Sequence, residues 1–271
     1  MRIAVIGDVG GHAMPLRDEL ARLGARPDGS LPEDLLVVQV GDLIHRGPDS
    51  AHVVDIVAGY LRRQPGQWIQ LIGNHEAHYL RPPVFRWPDT LGRKHIRILN
   101  RWWRDGAATV ATAVETAGES FLITHAGITA EFWTTALGGP PTAAEAARRI
   151  NELARTSADT VFRAGMFLHG TIVPAAGPLW ADTAAELLPG WADRRLPFSQ
   201  IHGHNSVTKW RGRDTTIHST GIGALVTVDH AAKHETIHLE GGRIIGVDPD
   251  HRETPTSTWR ALELAGTITA C

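Results

Sequence analysis

Short apolar runs, each ending at a glycine or a polar motif, predict alternating strands and helices in the first third of the chain. Strands are predicted where a run is short and β-branched, and helices where apolar positions recur every three or four residues. The predicted order is strand, helix, strand, helix and strand, over Arg2–Ile6, Ala13–Leu23, Leu35–Val40, Ser50–Arg62 and Trp68–Ile72. This alternation predicts parallel pairing with right-handed crossovers, which brings the carboxyl ends of the strands to one edge.

The remainder of the chain has a less regular pattern. Helices are predicted at Arg97–Trp103, Gly106–Thr116 and Thr142–Arg155, and loops or a cap at Gly165–Leu188. Further strands are predicted at Phe121–Thr124, Ser199–His202, Thr215–His218, Ala224–His230, Glu235–Leu239 and Ile244–Val247, with a hairpin turn at Gly241–Gly242. The sequence therefore predicts a single domain over residues 1–271 with an α/β fold. Two packed mixed sheets are flanked by helices, with helical insertions around residues 80–118 and 140–195.

Polar motifs follow or close several of the predicted strands. They are GDVGGH at residues 7–12, GDLIHRG at 41–47, GNHE at 73–76, THAG at 124–127 and HGHN at 202–205, and they supply Asp8, Asp42, Asn74, His125 and His204. A Gly-Asp pair alone is as consistent with a helix N-cap as with a metal ligand. The full set mixes carboxylate, amide and imidazole groups, which suits Mn, Fe or Zn better than an all-oxygen calcium site or a thiolate zinc site. Two metals sharing one carboxylate would indicate phosphoester hydrolysis.

Composition narrows the class of protein. The 271 residues are 42% hydrophobic and carry a net charge of -2, which suits a protein with a sizeable core and a mixed surface. No basic run is present, so a nucleic-acid partner is not predicted. The one cysteine is Cys271, which fits a reducing compartment. The apolar run Ile3–Ile6 is too short for a signal peptide or a membrane span, so we expect a cytoplasmic protein without a membrane partner.

The order GD, GD, GNHE, H and GH resembles the calcineurin-like metallophosphoesterases, in the branch that joins protein Ser/Thr phosphatases with bacterial diadenosine tetraphosphatases. The resemblance extends from Arg2 to about Leu239. The segment GDLIHRGPDS, followed by GNHEAHYL, is most similar to the diadenosine tetraphosphatases, and GPLWAD at residues 177–182 also resembles that branch. The resemblance implies a four-layer architecture and two divalent metal ions, with Mn, Fe or Zn as candidates.

The resemblance also implies roles for the metal-binding residues. Asp42 would bridge both metals and Asp8 would bind the first. Asn74, His125 and His204 would bind the second. The shared carboxylate makes Asp42 part of the catalytic machinery as well as a ligand.

Other residues receive catalytic roles from the same resemblance. Arg46 would clamp phosphate oxygens through its planar guanidinium, although a surface ion pair is the alternative. His75 would be the general acid that protonates the leaving oxygen. Glu76 would orient an imidazole without binding metal. A further phosphate-binding arginine is expected at Arg194 or Arg195.

Two positions depart from the family pattern. The family carries a metal-binding histidine where this chain has Gly10. His12 lies two residues on, and we expect it to replace that ligand; the alternative is an exposed or capping histidine. His45 stands where protein phosphatases carry an aspartate that orients the catalytic histidine, which argues against a protein phosphatase.

The leading hypothesis is a metal-dependent phosphoesterase that hydrolyses phosphate esters or phosphoanhydrides with metal-activated water. A small phosphomonoester or a dinucleoside polyphosphate is the favoured substrate, and a phosphoprotein is the alternative for an enzyme. The rival from another class is a catalytically degraded module that binds a nucleotide or a partner. A nuclease is disfavoured because the chain lacks a basic stripe.

Overall fold

A computed structural model describes residues 1–210, 225–256 and 258–271. Its strands are β1 Arg2–Ile6, β2 Leu35–Gln39, β3 Trp68–Leu71, β4 Ala108–Thr109, β5 Ala111–Thr116, β6 Ser120–Thr124, β7 Ser199–His202, β8 Val226–Asp229, β9 His234–Leu239, β10 Gly242–Gly246 and β11 Leu262–Ala270. The predicted strand Thr215–His218 and the first residue of the predicted strand 224–230 lie outside these described ranges.

Helices flank the strands. They are α1 Ala13–Arg22, α2 Ser50–Arg63, α3 Asn74–Leu80, α4 Arg93–Asp105, α5 Ala130–Thr135, α6 Ala143–Thr156, α7 Ala158–Val161, α8 Met166–His169 and α9 Leu188–Trp191, with a π-helical turn at Thr183–Leu187. Among the described residues, no helix is both long enough and apolar enough to cross a membrane.

The strands form a large mixed sheet in the order β4-β3-β2-β1-β11-β5-β6-β7-β10-β9-β8. β1, β2 and β3 pair in parallel, as the sequence predicts, and β4 adds a further parallel strand beside β3. β11 connects the two parts of the sheet, because its first half pairs with β1 and its second half with β5. An irregularity near Ile268 marks the second half, and such features bend a strand.

The two parts of the sheet bury one set of apolar side chains between them. Ile3 and Val5 of β1 share a cluster with Phe121 of β6, Ile201 of β7 and Ile245 of β10. Side chains alternate along a strand, so the other face of β1 packs against the helices α1 and α2. This arrangement confirms the α/β prediction of mixed sheet flanked by helices, with the two predicted sheets joined through β11.

The sequence prediction is wrong in the middle of the chain. Residues Gly106–Thr116 were expected to be helical, but β4 and β5 occupy them. Gly106 ends α4 in the left-handed conformation at φ 75°. The following Thr and Val residues then extend, because β5 gains partners on both sides, β11 and β6. The first predicted helical insertion therefore holds one complete long helix followed by two strands, while the single-domain assignment stays a prediction.

Candidate metal centre

The motif loops meet at the carboxyl ends of the strands, as expected for this topology. The backbone N–H groups of Val9 and Gly10 both donate to the carbonyl of Asp42, at 3.0 and 2.8 Å. The loop of Gly73 also lies against this residue, because a Cβ added at Gly73 would fall 2.1 Å from Oδ1 of Asp42. A side chain at position 73 is thereby excluded.

Four of the predicted ligands converge, and we call them the nitrogen side: Asp42, Asn74, His125 and His204. Ligand atoms of Asp42, His125 and His204 all lie within 4.8 Å of one another. The Oδ1 atom of Asn74 lies 2.8 Å from Nε2 of His125 and 3.1 Å from Nδ1 of His204. Oxygen and imidazole nitrogen atoms therefore face a common space.

The orientation of the Asn74 amide indicates whether a cation would fit between these ligand atoms. Its oxygen faces the two imidazole nitrogens and also lies 3.2 Å from both carboxylate oxygens of Asp42. Rotating the amide by 180° would let its NH₂ group donate to all these atoms. In the unrotated orientation, the lone pairs of the amide oxygen, the imidazole nitrogens and the carboxylate oxygens face one another. A divalent cation placed between them would be coordinated by all of these atoms. The donor set therefore fits the metal that the sequence predicts.

The imidazoles are oriented for such a role. The Nδ1–H group of His125 donates to the carbonyl of Val40 at 3.0 Å, which leaves the Nε2 lone pair directed at the site. Burial lowers the pKa of His125, and burial together with the neighbouring His125 lowers the pKa of His204 well below its ordinary value. Both rings are therefore neutral near pH 7, the state in which imidazole ligates metal.

Asp42 is held by its own loop and by Glu76. The Glu76 carboxylate accepts the backbone N–H groups of Asp42, Leu43 and Gly73 at 2.8–2.9 Å. The expectation that Glu76 orients an imidazole is wrong, since it organises backbone instead. Burial alone would raise the pKa of Asp42, but the surrounding imidazoles lower it below the usual range, so this carboxylate is ionised.

Asp8 lies beside the nitrogen side. Its two oxygens accept the backbone N–H of His204 at 3.1 and 3.2 Å, and a Cβ added at Gly203 would fall 2.1 Å from Oδ1. Burial raises the pKa of Asp8 well above its ordinary value, and the charges of Asp248 and Asp42 raise it further. Burial likewise raises the pKa of Asp248 to about 7. The charge of a third carboxylate, not selected from the sequence, thus acts on Asp8.

His12 is the predicted ligand that the structure does not bring to the nitrogen side. The side chain is buried, and its Nε2 lies 2.6 Å from the carbonyl oxygen of Arg252, to which an Nε2–H group donates. The ring also packs closely on Gly47. These contacts oppose the replacement of a ligand at Gly10 by His12, and that role stays a prediction without support from the geometry.

His75 points its Nε2 toward the centre. That atom lies 3.6 Å from Oδ2 of Asp42, while Nδ1 lies 3.1 Å from both the carbonyl of Ile44 and Nδ1 of His45. Burial lowers the pKa of His75, and the charge of Asp42 opposes that shift. An Nδ1–H donated to Ile44 leaves Nε2 available for a proton that faces substrate. The geometry therefore suits the predicted acid role.

The ring of His45 lies between His75 and two aromatic side chains, Tyr79 and Trp87, which we call the aromatic wall. Its Nε2 lies 2.8 Å from the hydroxyl of Tyr79, and its ring stacks on Trp87 with centroids 5.0 Å apart and planes 10° apart. Burial lowers the pKa of His45 to about 3, so the ring is neutral. Trp87 also contacts the ring of His75, with centroids 4.4 Å apart. Where protein phosphatases carry a charged aspartate, this chain has a neutral, stacked ring.

The predicted arginines have different surroundings. Arg46 is exposed, and its guanidinium lies 5.7 Å from the centroid of Trp87. Its positive charge lowers the pKa of the nearby Asp8. In contrast, Arg194 contacts the hydroxyl of Thr134 at 3.4 Å, and Arg195 pairs with an exposed glutamate. The contacts of these two side chains do not involve the centre.

Two features of the site were missed in the sequence. Asp248 directly follows the predicted strand Ile244–Val247, but it lacks the glycine that precedes Asp8 and Asp42, so the Gly-Asp pattern did not select it. Trp87 follows no strand and lies in a proline-rich stretch, so only the abundance of tryptophan hinted at an aromatic wall.

Comparisons with known proteins agree with this geometry. The family model for calcineurin-like phosphoesterases matches residues 1–217. A zinc-dependent endopolyphosphatase of Saccharomyces cerevisiae is 35% identical over 86 residues, which are 30% of this chain. Those residues cover 24% of the yeast protein, so the chain spans about a quarter of that relative.

Solved structures give the same fold. A cold-active protein tyrosine phosphatase matches with a TM-score of 0.55 at 17% identity, over 94% of this chain and 72% of that chain. The cold-active protein-tyrosine phosphatase of a psychrophilic Shewanella species matches with a TM-score of 0.52 at 16% identity, over 93% and 73% of the two chains. At such low identity these likenesses show the fold alone.

Proposed function

The chain belongs to the calcineurin-like phosphoesterases, and on that premise we propose that it hydrolyses small phosphomonoesters or dinucleoside polyphosphates. As a member of the family it is a hydrolase of phosphoester bonds that uses two divalent metal ions. The observation that carries the proposal is the convergence of Asp42, Asn74, His125 and His204, with His75 and Arg46 at its border. When bound, the metals supply an activated water and neutralise charge on the phosphoryl group.

Arg46 and His75, at the border of the site, have separate roles in phosphate binding and proton donation. Arg46 is exposed beside Trp87, and its fork can pair with two oxygens of a phosphoryl group. His75 holds a proton on Nε2 and delivers it to the leaving oxygen, while the carbonyl of Ile44 fixes its ring through Nδ1. Burial lowers the pKa of His75, and the carboxylate of Asp42, 3.6 Å from Nε2, opposes that shift by favouring the protonated ring.

Two cavities beside the centre favour a small substrate. One, of about 260 Å³, opens at Asn74 and is lined by His78, Phe162 and Trp180 among others. Flat side chains of this kind suit an aromatic leaving group such as a nucleobase. The other, of about 590 Å³, is lined by His45, Arg46 and Leu91 among others. A dinucleoside polyphosphate has a bulky group at each end, so it would use both cavities.

The metal identity and the cellular setting belong to the same proposal. We favour manganese, since mixed carboxylate, amide and imidazole ligands accept it, and zinc or iron are the alternatives. The single cysteine of the chain fits a reducing cytoplasm. A phosphoprotein substrate and a non-catalytic binding module remain the rival proposals.

Turnover after metal loading tests the proposal. Metal-free protein would be loaded with Mn²⁺ and assayed on p-nitrophenyl phosphate, diadenosine tetraphosphate and a phosphoserine peptide. We expect turnover of the first two, with kcat/KM for the peptide at least about tenfold lower, equivalent to ~1.4 kcal/mol. A preference for the peptide would support a protein phosphatase. Metal binding without turnover of any substrate would support the degraded module.

A further inference from the structure

A cavity of about 470 Å³ lies between α1, the turn that follows it, and α2. Four arginines line this cavity, which we call the arginine cavity: Arg17 on α1, Arg26 on the turn, and Arg62 and Arg63 at the end of α2. None of its lining residues belongs to the nitrogen side or to the border formed by His75 and Arg46. The arginine cavity is therefore separate from the metal centre.

The four positive charges are not neutralised by carboxylates. None of these arginines forms an ion pair with a carboxylate among the residues that the structure describes. The one acidic residue of the lining, Asp55, pairs with Lys94 at 3.1 Å, and the nearby Asp28 accepts two hydrogen bonds from Ser30. Because the whole chain has a net charge of -2, the arginine cavity is a local excess of positive charge that favours an anion.

Tyr60 adds a buried hydrogen-bond donor to the lining. The residue is 6% exposed, and its ring stacks on Trp68 with centroids 4.9 Å apart. No described residue forms a hydrogen bond with its hydroxyl group, although the side chain lines the cavity. Burial raises the pKa of Tyr60, while the charges of Arg63 and Arg17 oppose that shift, so the hydroxyl keeps its proton at neutral pH. A buried hydroxyl without a partner is unfavourable, and a ligand oxygen would provide that partner.

The guanidinium group of Arg63 is placed beside Tyr60 by two glycines. Its Cζ atom lies 6.0 Å from the centroid of the Tyr60 ring. A Cβ added at Gly59 would fall 3.2 Å from both terminal nitrogens of Arg63, and a Cβ added at Gly29 would fall 2.7 Å from one of them. Gly59 lies inside α2, where glycine is less favourable than alanine. The missing side chains therefore leave the space that the guanidinium group occupies.

We propose that the arginine cavity binds an oligophosphate, a small anion with two or more linked phosphoryl groups. Tyr60 would donate to one phosphate oxygen, and Arg17 and Arg63 would pair with others through their planar forks. The arginines belong to both helices and to the turn, so one phosphoryl group would not engage them all. The inference goes beyond the proposed hydrolysis, because binding at this cavity requires neither of the two metals.

The experiment is a calorimetric titration of the metal-free full chain with inorganic triphosphate at about 150 mM salt, where diffuse attraction is screened. We expect one triphosphate per chain, with a Kd at least about tenfold lower than that of orthophosphate. Arg46→Ala, at the metal centre, should keep the wild-type affinity. A parallel titration with ATP distinguishes the sources of the phosphates: an equal Kd indicates an inorganic oligophosphate, and a lower Kd indicates a nucleotide.

Three variants test the lining of the arginine cavity. Arg63→Ala should raise the Kd for triphosphate at least about tenfold, and Tyr60→Phe, which removes only the hydroxyl, about fivefold or more. Gly59→Leu keeps every charge but directs a side chain at the guanidinium group of Arg63, and it should raise the Kd at least about tenfold. Arg148→Ala, at an exposed arginine of α6, is the matched control and should bind as the wild type does.

Four results would overturn the inference: no binding to the wild type, orthophosphate bound as tightly as triphosphate, equal losses in Arg63→Ala and Arg148→Ala, or a loss in Arg46→Ala. Unchanged affinity in both Tyr60→Phe and Gly59→Leu would also contradict it, since a diffuse surface charge needs neither the hydroxyl nor the space. Thermal unfolding guards against a folding defect. Triphosphate should raise the midpoint of the wild type and of Arg148→Ala, and should raise that of Tyr60→Phe by less.

Discussion

The two sides of the metal centre are built from different parts of the fold. Asn74 and His125 of the nitrogen side follow the buried strands β3 and β6, and their partners are backbone carbonyls and one another. The other side, which we call the oxygen side, consists of Asp42 together with the buried carboxylates Asp8 and Asp248. Asp248 follows β10 in the C-terminal part of the chain, and its charge raises the pKa of Asp8. One side has imidazoles that burial keeps neutral, and the other has carboxylates that burial makes costly to ionise. The two sides therefore differ in how readily protons compete for their ligand atoms.

Asp42 belongs to both sides, so its replacement should have the largest effect. Asp42→Asn removes the shared charge, while Asn still tolerates the positive φ of 54° at this position. We expect kcat on p-nitrophenyl phosphate to fall by at least about 10³-fold. Metal analysis should show less than the wild-type content. Asp55→Asn, at an exposed aspartate that pairs with Lys94, is the control and should keep both properties. Two metals and a normal rate in Asp42→Asn would show that the two sides share no carboxylate.

His75 lies between the two sides without being assigned to either, so its loss should affect rate and spare the metals. For His75→Ala we expect kcat to fall by about 10²-fold or more on phenyl phosphate and by less on p-nitrophenyl phosphate, whose leaving group needs less protonation. His52→Ala, at an exposed histidine that contacts Arg17, is the control. Equal losses on the two esters would remove His75 from the acid role.

Lowering the pH should weaken metal binding on the oxygen side before it weakens metal binding on the nitrogen side. Burial raises the pKa of Asp8 and sets that of Asp248 to about 7, so protons compete with the cation once the pH falls toward 7. Burial lowers the pKa of His125 and His204, so the nitrogen side should hold its ion to a lower pH than ordinary histidines would. Between pH 8 and pH 6 we expect one Mn²⁺ affinity to fall by about tenfold or more and the other by less. Mn²⁺ titrations followed by electron paramagnetic resonance give both values, and parallel losses would contradict the distinction.

Changes at Gly10 should have the smallest effect and should not restore the family pattern. Gly10→Ala places a side chain at φ 53° and should lower the free energy of unfolding by about 1 kcal/mol. Gly10→His should be worse, because a ring would meet Arg46 and His251. Denaturant unfolding measures both, with Gly66→Ala as the control, since nothing lies within 4 Å of a Cβ there. Tighter Mn²⁺ binding in Gly10→His would show that the loop has room for the missing ligand.

The nitrogen side could be predicted from the sequence, whereas the oxygen side could not be completed from it. Asn74, His125 and His204 lie in motifs at strand ends, and parallel topology alone brings strand ends together. The effect of the Asp248 charge on Asp8 depends on how the segment after β10 crosses the first loop, which brings together positions 240 residues apart. No local pattern specifies such an approach. His12 was selected because it is near Gly10 in sequence, but the carbonyl of Arg252 engages its ring.

The fold likewise contains segments that the local sequence predicts and segments that it does not. The first three strands and two helices were predicted within a residue or two, because their periodicity is strong. β5 was predicted as helix since Ala and Thr dominate it, and its extended state depends on pairing with β11. β11 itself alternates half-buried and exposed residues with little apolar bulk, so it gave no strong signal. The structure of β5 and β11 is therefore determined by pairing between strands that are distant in sequence.

Anomalous scattering from crystals of the Mn²⁺-loaded full chain tests the two-sided centre most directly. Two peaks are predicted. One should lie at about 2.0–2.3 Å from nitrogen atoms of His125 and His204, and the other at about 2.0–2.3 Å from an oxygen atom of Asp8, with Asp42 contacting both. A single peak, or a second peak that has neither Asp8 nor Asp42 among its ligands, would contradict the account.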